Sequence, residues 1–204
     1  MMRWQISCKG DEMMSNSIKT PLIEEYEINP NTMIIMPIQY GSKIYSQVWE
    51  LEDIIVSPFK PIDIIKTSCK FFGSSYEGRK EGTTQLTGIT HKAPITVDPT
   101  NFIYFFPTTS ASNSKCIWIS LEHIQYHKRA DAKNTQVVFK NNQHLSIPIS
   151  SNSFNNQLLR TALLKNTLIS RIEESERKAL YFINGRRNFN HIERIASYAK
   201  KGID

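Results

Sequence analysis

The residues best suited to chemistry lie in one glycine-rich, basic stretch of the chain, Ser68–Pro99. It holds four of the chain's eight glycines, with basic and aromatic side chains interleaved between them. Glycine allows the backbone to approach a partner closely, and cationic side chains beside such backbone suit a polyanion. From Lys66 to Lys92 there are five lysine or arginine residues and two acidic ones. The stretch therefore predicts a phosphate-binding loop, although this composition is also typical of a solvent-exposed loop that only connects two elements.

Six side chains are the candidates for binding nucleic acid: Lys66, Lys70, Arg79, Lys80, His91 and Lys92. A lysine ammonium suits a point contact to phosphate, so the four lysines are predicted to hold the DNA backbone. Arg79 is the predicted groove residue, because an arginine on a flexible loop reaches into the narrow minor groove of an A-tract. His91 is a candidate for a phosphate or a base edge. We find no helix-turn-helix, zinc-finger or basic-zipper pattern, so a recognition helix in the major groove is not indicated.

Two near-matches to enzyme motifs lie in the same stretch, and both fail. The spacing of Gly73 and Gly78 resembles a P-loop, but Arg79 stands where the phosphate-binding lysine belongs and Lys80 where a hydroxyl would hold magnesium. A nucleophile elbow would need glycine at the position of Glu77. The chain also lacks a recognisable pair of carboxylates or a base beside a nucleophile. We therefore predict that the protein is not an enzyme and uses no cofactor.

The histidines and cysteines give little support for a metal site. His123 and His127 are four residues apart, but no third ligand is obvious nearby. Cys8, Cys69 and Cys116 are widely spaced, and no CxxC occurs. This usage favours a reducing cytoplasm and argues against structural zinc. Both Cys69, on the apolar side of a predicted helix, and Cys116, at a strand entrance, are expected to be buried.

The charge of the chain is unevenly distributed. Its net charge is +6, yet residues 1–65 hold 5 basic and 9 acidic residues, while residues 66–204 hold 20 basic and 10 acidic ones. A basic remainder behind an acidic front suggests that one face meets a polyanion, although many cytoplasmic proteins of basic pI bind nothing anionic. No apolar run approaches the ~20 residues that cross a bilayer, and no secretory signal is visible. We expect a cytoplasmic, nucleoid-associated protein without membrane contact.

The elements that must position these residues predict an α+β fold, with an antiparallel β-rich core, a helix before the glycine-rich basic loop, and C-terminal helices. Helical spacing of apolar residues after a favourable first-turn proline predicts a helix over Pro61–Phe72, which Gly73 ends. Five acidic side chains of the first strands are expected to face water: Glu24, Glu25, Glu27, Glu50 and Glu52. Alternation and β-rich composition predict strands over Leu22–Ile28, Thr32–Ile38, Lys43–Leu51, Asp53–Val56, Thr83–Ile89, Ile95–Val97, Phe102–Phe106, Ile117–Ser120, Ile124–Lys128, Gln136–Phe139 and His144–Ile149.

The C-terminal part is predicted to begin with an amphipathic helix that packs on the sheet and ends near Arg171. Its expected cap is one of three consecutive residues, Ser151, Asn152 or Ser153. From Glu173 the chain is charged and less regular, with a further helix possible over Asn190–Lys200. We therefore expect three parts: a disordered leader over 1–20, in which Met13 or Met14 is a possible true start, a single DNA-binding domain over 21–172, and a charged, partly helical tail over 173–204.

The glycine-rich stretch also carries a resemblance to a known family. Its runs SCKFFGSSYEGRKEGT and ITHKAPITVDP, with FFPT, CIWIS and QLLRTALL further on, resemble the bacterial competence transcription factor family, ComK. The resemblance covers roughly Leu22 to Arg171 and is densest between Ser68 and Thr108. It implies an activator of DNA-uptake genes that binds paired A-run/T-run boxes through the minor groove, with more than one subunit on each promoter.

The resemblance also implies partners other than DNA. An activator is expected to meet RNA polymerase, and family members are delivered to a Clp-type protease by an adaptor that grips a short apolar-aromatic motif in the tail. Here Ala179–Phe182 matches that motif only loosely. Two other classes of function remain open from the residues alone: a protein-interaction or adaptor module whose basic loop binds an acidic partner, and an enzyme acting on a phosphorylated substrate.

Overall fold

Nine strands and three helices form the part of the chain described by a computed structural model, which covers the backbone of residues 21–200 and the side chains of residues 21–183. The predicted leader, residues 1–20, lies outside the described residues. In chain order the elements are β1 (Thr32–Tyr40), β2 (Lys43–Glu50), β3 (Ile54–Ser57), α1 (Pro61–Phe71), α2 (Tyr76–Thr87), β4 (Ile95–Asp98), β5 (Ile103–Pro107), β6 (Trp118–Ser120), β7 (Ile124–Arg129), β8 (Thr135–Phe139), β9 (His144–Ile147) and α3 (Ser151–Lys200).

The strands form two antiparallel sheets. The larger has six strands in the order β3-β2-β1-β6-β5-β4, and the smaller has three in the order β7-β8-β9. Tight turns join neighbouring strands at Gly41, with φ +57°, and at Asn142, with φ +65°. Both positive φ values explain why glycine or asparagine is placed there. The predicted α+β class with a β-rich antiparallel core is confirmed, and most strands lie within a few residues of their predicted ends.

Two apolar clusters lie on opposite faces of the larger sheet. Successive residues of a strand point to opposite faces, so Ile35 and Phe105 pack beneath α1, whereas Ile34 and Phe106 pack toward the smaller sheet and the start of α3. Phe154, which is fully buried, brings α3 into the second cluster. The larger sheet is therefore the central layer, and the helices that carry the candidate residues pack on it.

Helix α1 forms as the sequence predicts. Pro61 is its first residue, and Asp63 in the first turn and Lys70 in the last turn suit the helix dipole. Its buried side includes Ile64, Ile65 and Cys69, so the predicted burial of Cys69 is confirmed. Cys116 is also buried, as expected. The helix delivers the chain to a turn at Gly73, whose φ is +73°.

The predicted glycine-rich loop and the predicted strand Thr83–Ile89 are both wrong, because this part of the chain folds as helix α2. Ser75 caps the helix, with its Oγ accepting a hydrogen bond from the Gly78 backbone nitrogen at 2.9 Å. Gly88, in the left-handed conformation with φ +74°, ends it. Glycine inside a helix costs about 1 kcal/mol relative to alanine. Packing supplies what the local sequence lacks, since Thr83 is buried against β4 and its Oγ1 donates to the Pro94 carbonyl at 2.9 Å.

Two further expectations, for Leu22–Ile28 and for Glu50, are wrong. Leu22–Ile28 is not a strand, because it makes a single parallel bridge from Leu22 to Val56. Glu50 does not simply face water, since its Oε1 accepts hydrogen bonds from Tyr26 Oη and Asn29 Nδ2, both at 2.6 Å. The Glu50 carboxylate therefore ties residues 26–29 to the end of β2.

The C-terminal helix is longer than predicted. Helix α3 extends from Ser151 to Lys200, 50 residues, instead of ending near Arg171. The side chain that caps its start is Ser150, whose Oγ accepts from the Ser153 backbone nitrogen at 3.3 Å. Side chains 171–183 are all exposed, so this part of the helix is not packed on the sheets. Between residues 21 and 200, no helix combines the length and apolar character that crossing a bilayer requires.

Candidate nucleic-acid interface

The candidate residues lie on a surface that we call the helical face, formed by α1, α2, residues 88–94 and the first turns of α3. At one end, Lys66 on α1 is bound to α2. Its Nζ lies 3.8 Å from Glu77 Oε1 and 5.9 Å from the centroid of the Tyr76 ring. Lys70, one turn further along α1, is exposed. The two lysines therefore lie together, but a carboxylate already accompanies one of them.

Arg79 lies on the inner side of α2, not on a flexible loop. Its side chain is half-buried, and its Nη2 donates to the Val97 carbonyl on the outer edge of β4 at 3.4 Å. Its Nε is buried without a hydrogen-bond partner among the described residues. Lys80, the next residue, points outward and is exposed, with Glu77 and Glu81 close by on the same helix. Arg79 thus fixes α2 to the sheet, while Lys80 faces solvent.

His91 and Lys92 lie at the other end of α2, in a segment held from behind by α3. The His91 carbonyl accepts a hydrogen bond from Arg160 Nη1 at 3.2 Å, and the Lys92 carbonyl accepts one from Gln157 Nε2 at 3.1 Å. Lys92 has a φ of +48°, which is unusual for a residue with a side chain. Both side chains are exposed. The backbone is therefore fixed, and the side chains of His91 and Lys92 project from it.

Sequence reasoning missed two residues that build this end of the helical face, Gln157 and Arg160. Gln157 is buried and bridges two segments, because the same Nε2 also donates to the Pro107 carbonyl at 2.7 Å. Arg160 is exposed and adds a further cation beside His91. Their spacing of three residues places them on one side of the predicted helix. Which segment packs against that side is known only from the folded structure.

Four of the six predicted residues form two groups on this face. Lys66 and Lys70 lie near the start of α2, and His91 and Lys92 lie near its end. Helix α2 has 12 residues, so the groups are separated by about 18 Å at 1.5 Å per residue. Lys80 lies between them. A row of this length matches about five base-pair steps of 3.4 Å along one DNA strand.

Two thiols and two imidazoles outside the candidate residues are buried or held by packing and hydrogen bonds. Burial raises the pKa of the Cys69 thiol to about 11 and also raises the pKa of Cys116, which keeps both thiols protonated and unreactive. His123 Nε2 donates to the Pro30 carbonyl at 2.8 Å, and the His127 ring packs 4.9 Å from that of Phe154. Among residues 21–183 no three histidine, cysteine or carboxylate side chains come together as metal ligands.

The described part of the molecule is thus an α+β protein that presents a row of cations on its helices. The profile of the ComK protein family matches residues 23–173, and the chain belongs to that family. It is similar to the Competence transcription factor of Bacillus subtilis (strain 168), with 42% identity over 170 residues, which are 83% of this chain and 88% of that relative. No solved structure matches the chain significantly.

Proposed function

We propose that this protein is a sequence-preferring, DNA-binding transcriptional activator of competence genes, which binds A-run/T-run boxes largely through the minor groove. Its membership of the ComK family and its 42% identity to a competence transcription factor support the class of function. The observation that carries the DNA-binding role is the helical face, where exposed cations project from rigidly held backbone. A cytoplasmic, nucleoid-associated location follows from this role.

Exposed lysines would supply the affinity. Lys70, Lys80 and Lys92 are exposed and belong to no ion pair among the described residues, so each is free to contact a phosphate. Lys66 would contribute less, because Glu77 competes for it. Each phosphate that is neutralised releases counterions, and binding should therefore weaken steeply as salt rises. His91, exposed beside Lys92, is placed for a phosphate or a base edge.

Arg79 would reach the groove at a cost. Its contact with the Val97 carbonyl must break first, which forfeits about 0.5–1.5 kcal/mol for a hydrogen bond of ordinary strength. The half-buried position also keeps much of its side chain against β4. A minor-groove ligand that competes for A-run DNA would support the groove assignment, whereas undiminished binding in its presence would contradict it.

The test is a titration of A-run/T-run duplexes of varied spacer length at several salt concentrations. The double variant Lys70→Ala/Lys80→Ala should bind more weakly, and its log–log salt slope should fall by about 1.8, or 0.9 for each lost phosphate contact. Lys43→Ala, which removes an exposed lysine at the start of β2, is the matched control. An unchanged slope in the double variant would remove the helical face from the mechanism and favour an acidic protein partner instead.

The exposed part of α3 supports further proposals about partners. Four consecutive apolar residues of α3, the last whose side chains the structure describes, are largely exposed: Leu180 58%, Tyr181 81%, Phe182 72% and Ile183 52%. Such a run is unusual on the surface of a monomer and suits contact with another protein. We propose that this apolar run mediates the association of several subunits on one promoter or binds a Clp-protease adaptor. RNA polymerase is the further partner expected of an activator. Sedimentation of Tyr181→Glu against the wild type tests the first of these.

A further inference from the structure

The smaller sheet ends in a hairpin whose tip is cationic and exposed. We call this feature the hairpin arm: strands β7 and β8 with the connecting residues 130–134. The six residues 128–133 are all exposed, and three of them are basic: Lys128, Arg129 and Lys133. Asp131 is the single acidic residue between positions 124 and 147. The arm therefore carries a local excess of positive charge that is independent of the helical face.

The root of the arm is anchored in the core. Val137 and Phe139 on β8 are fully buried, and His127, opposite Val137, packs on Phe154 of α3. The strands remain paired to the end, where Arg129 lies opposite Thr135. The tip therefore projects from a fixed base and does not move as a free loop.

The tip is held in one shape by Asp131. Its Oδ1 accepts from the backbone nitrogens of Lys133 and Asn134, at 2.7 and 2.8 Å, and its Oδ2 accepts from Asn134 Nδ2 at 2.7 Å. These hydrogen bonds lower the pKa of the carboxyl. The acidic group is thus used within the turn. Two of the tip residues, Ala130 and Ala132, are small, which favours close approach to a duplex.

The side chain of Arg129 is oriented by one hydrogen bond and keeps its two Nη atoms available for a partner. Its Nε donates to the Asp131 carbonyl at 3.2 Å, which orients the guanidinium at the tip. Neither Nη atom donates a hydrogen bond to a described residue. Arg79 differs on both counts, because its Nη2 is bonded to Val97 and its side chain is half-buried. Of these two arginines, Arg129 is the exposed one whose two Nη atoms have no partner among the described residues, as insertion into a groove requires.

We propose that the hairpin arm is a second DNA-binding site and that Arg129 is the residue it inserts into the minor groove of an A-run. This inference rests on the proposed function and specifies how the sequence preference arises. A-tracts narrow the minor groove and concentrate negative potential in it, which favours an inserted arginine. Lys128 and Lys133 flank Arg129 and would contact the phosphates on either side of the groove. The helical face would then supply affinity, and the arm would supply the preference for A-runs.

A structural explanation of the same charges predicts a different outcome. Basic residues on an exposed edge strand such as β7 also prevent edge-to-edge aggregation. In that case, replacing Arg129 would alter solubility without changing which DNA is bound. The experiment must therefore measure discrimination between duplexes as well as affinity.

The test compares three duplexes: an A-run/T-run box, the same box with 2,6-diaminopurine in place of adenine, and a mixed sequence. Diaminopurine adds an amino group in the minor groove and leaves the major-groove face of adenine unchanged. Wild-type protein should bind the diaminopurine box about tenfold more weakly than the natural box. Arg129→Ala should bind all three duplexes with similar affinity, and Arg129→Lys should recover affinity but little of the preference.

Arg171→Ala, which removes an equally exposed arginine from α3, is the matched control and should retain the full preference. If Arg129→Ala keeps the wild-type preference and sensitivity to diaminopurine, the arm is not the reader and this inference is wrong, while the proposed function stands. If the wild type itself does not prefer the A-run box, the proposed function fails and the inference fails with it.

Discussion

The helical face and the hairpin arm carry similar charge, but they use it differently. On the helical face Lys66 is paired with Glu77, Arg79 is bonded to Val97, and the backbone of residues 91–92 is tied to α3. On the arm, the acidic side chain is used within the turn, and none of the three basic side chains is in an ion pair among the described residues. The difference teaches that a count of basic residues in a sequence does not measure the cations available to a partner.

The two regions also differ in what holds them. The far end of the helical face depends on hydrogen bonds from α3. The arm depends on apolar packing of β8, on the contact of His127 with Phe154 and on its own turn. Changes aimed at one region should therefore leave the other intact. The following variants test that independence, from the largest expected effect to the smallest.

Gln157→Ala should have the largest effect, because it removes the donor that Lys92 and Pro107 share and leaves a buried carbonyl unsatisfied. We expect unfolding to require about 2–3 kcal/mol less free energy. DNA affinity should fall while the preference for A-runs persists. Chemical denaturation and duplex titration measure the two effects. Asn156→Ala, at the exposed neighbouring position, is the control. A loss of preference with affinity intact would show that the two regions are coupled.

Acidification should loosen the root of the arm through His123. Burial lowers the pKa of His123 below its ordinary 6.5, with a smaller opposing effect of its hydrogen bond to Pro30. The unfolded chain therefore binds a proton more readily than the folded one. The stabilisation is complete above about pH 6.5 and is lost as pH falls toward the folded pKa, by at most about 1.4 kcal/mol per pH unit.

The measurement is the free energy of unfolding of wild type and His123→Gln between pH 7.5 and 5. The glutamine amide nitrogen is placed like Nε2 of histidine, so it can still donate to the Pro30 carbonyl, but it does not titrate in this range. The variant should show a shallower decline of stability with falling pH. Parallel curves for the two proteins would show that another group is responsible.

Arg79→Lys separates the structural role of Arg79 from its charge. Lysine keeps the positive charge but cannot reproduce the guanidinium bond to the Val97 carbonyl. We expect a loss of about 1 kcal/mol of stability, with little change in the salt dependence of DNA binding. Thermal melting and salt titrations give the two values. A large loss of A-run preference in this variant would indicate that Arg79 enters the minor groove, and it would contradict the assignment of that role to Arg129.

The smallest effect distinguishes two lysines of the helical face. Lys70→Ala should reduce the salt slope by about 0.9. Lys66→Ala should reduce it less, because Lys66 is already paired with Glu77 at 3.8 Å and so contacts a phosphate less fully. Titrations of both single variants at the same salt concentrations give the comparison. Equal slopes would mean that Lys66 leaves Glu77 and contacts DNA as fully as Lys70.

Local signals account for the elements that the sequence predicted well. Helix α1 was predictable because a first-turn proline, regular apolar spacing and a terminal glycine all indicate the same element. Helix α2 was not, because its glycines outweighed the single capping signal of Ser75. Its buried contacts, such as Thr83 with Pro94, lie 11 residues apart in the chain and exist only after folding.

The candidate site was predicted in the same uneven way. The helical-face lysines were found because they are dense in one stretch. Arg160 escaped notice because it joins them from α3, 69 residues after His91. The arm escaped notice because it has only three basic residues. That they are exposed at the tip of a hairpin is visible only in the folded structure.

The sequence by itself determined the α+β class, helix α1, most strands and the family, because local periodicity, caps and contiguous motifs are properties of neighbouring residues. The tertiary structure decided which cations are available. Whether a guanidinium meets a carbonyl, a carboxylate or solvent depends on the segment packed against it, and that segment is set by the folding of distant parts of the chain onto the larger sheet.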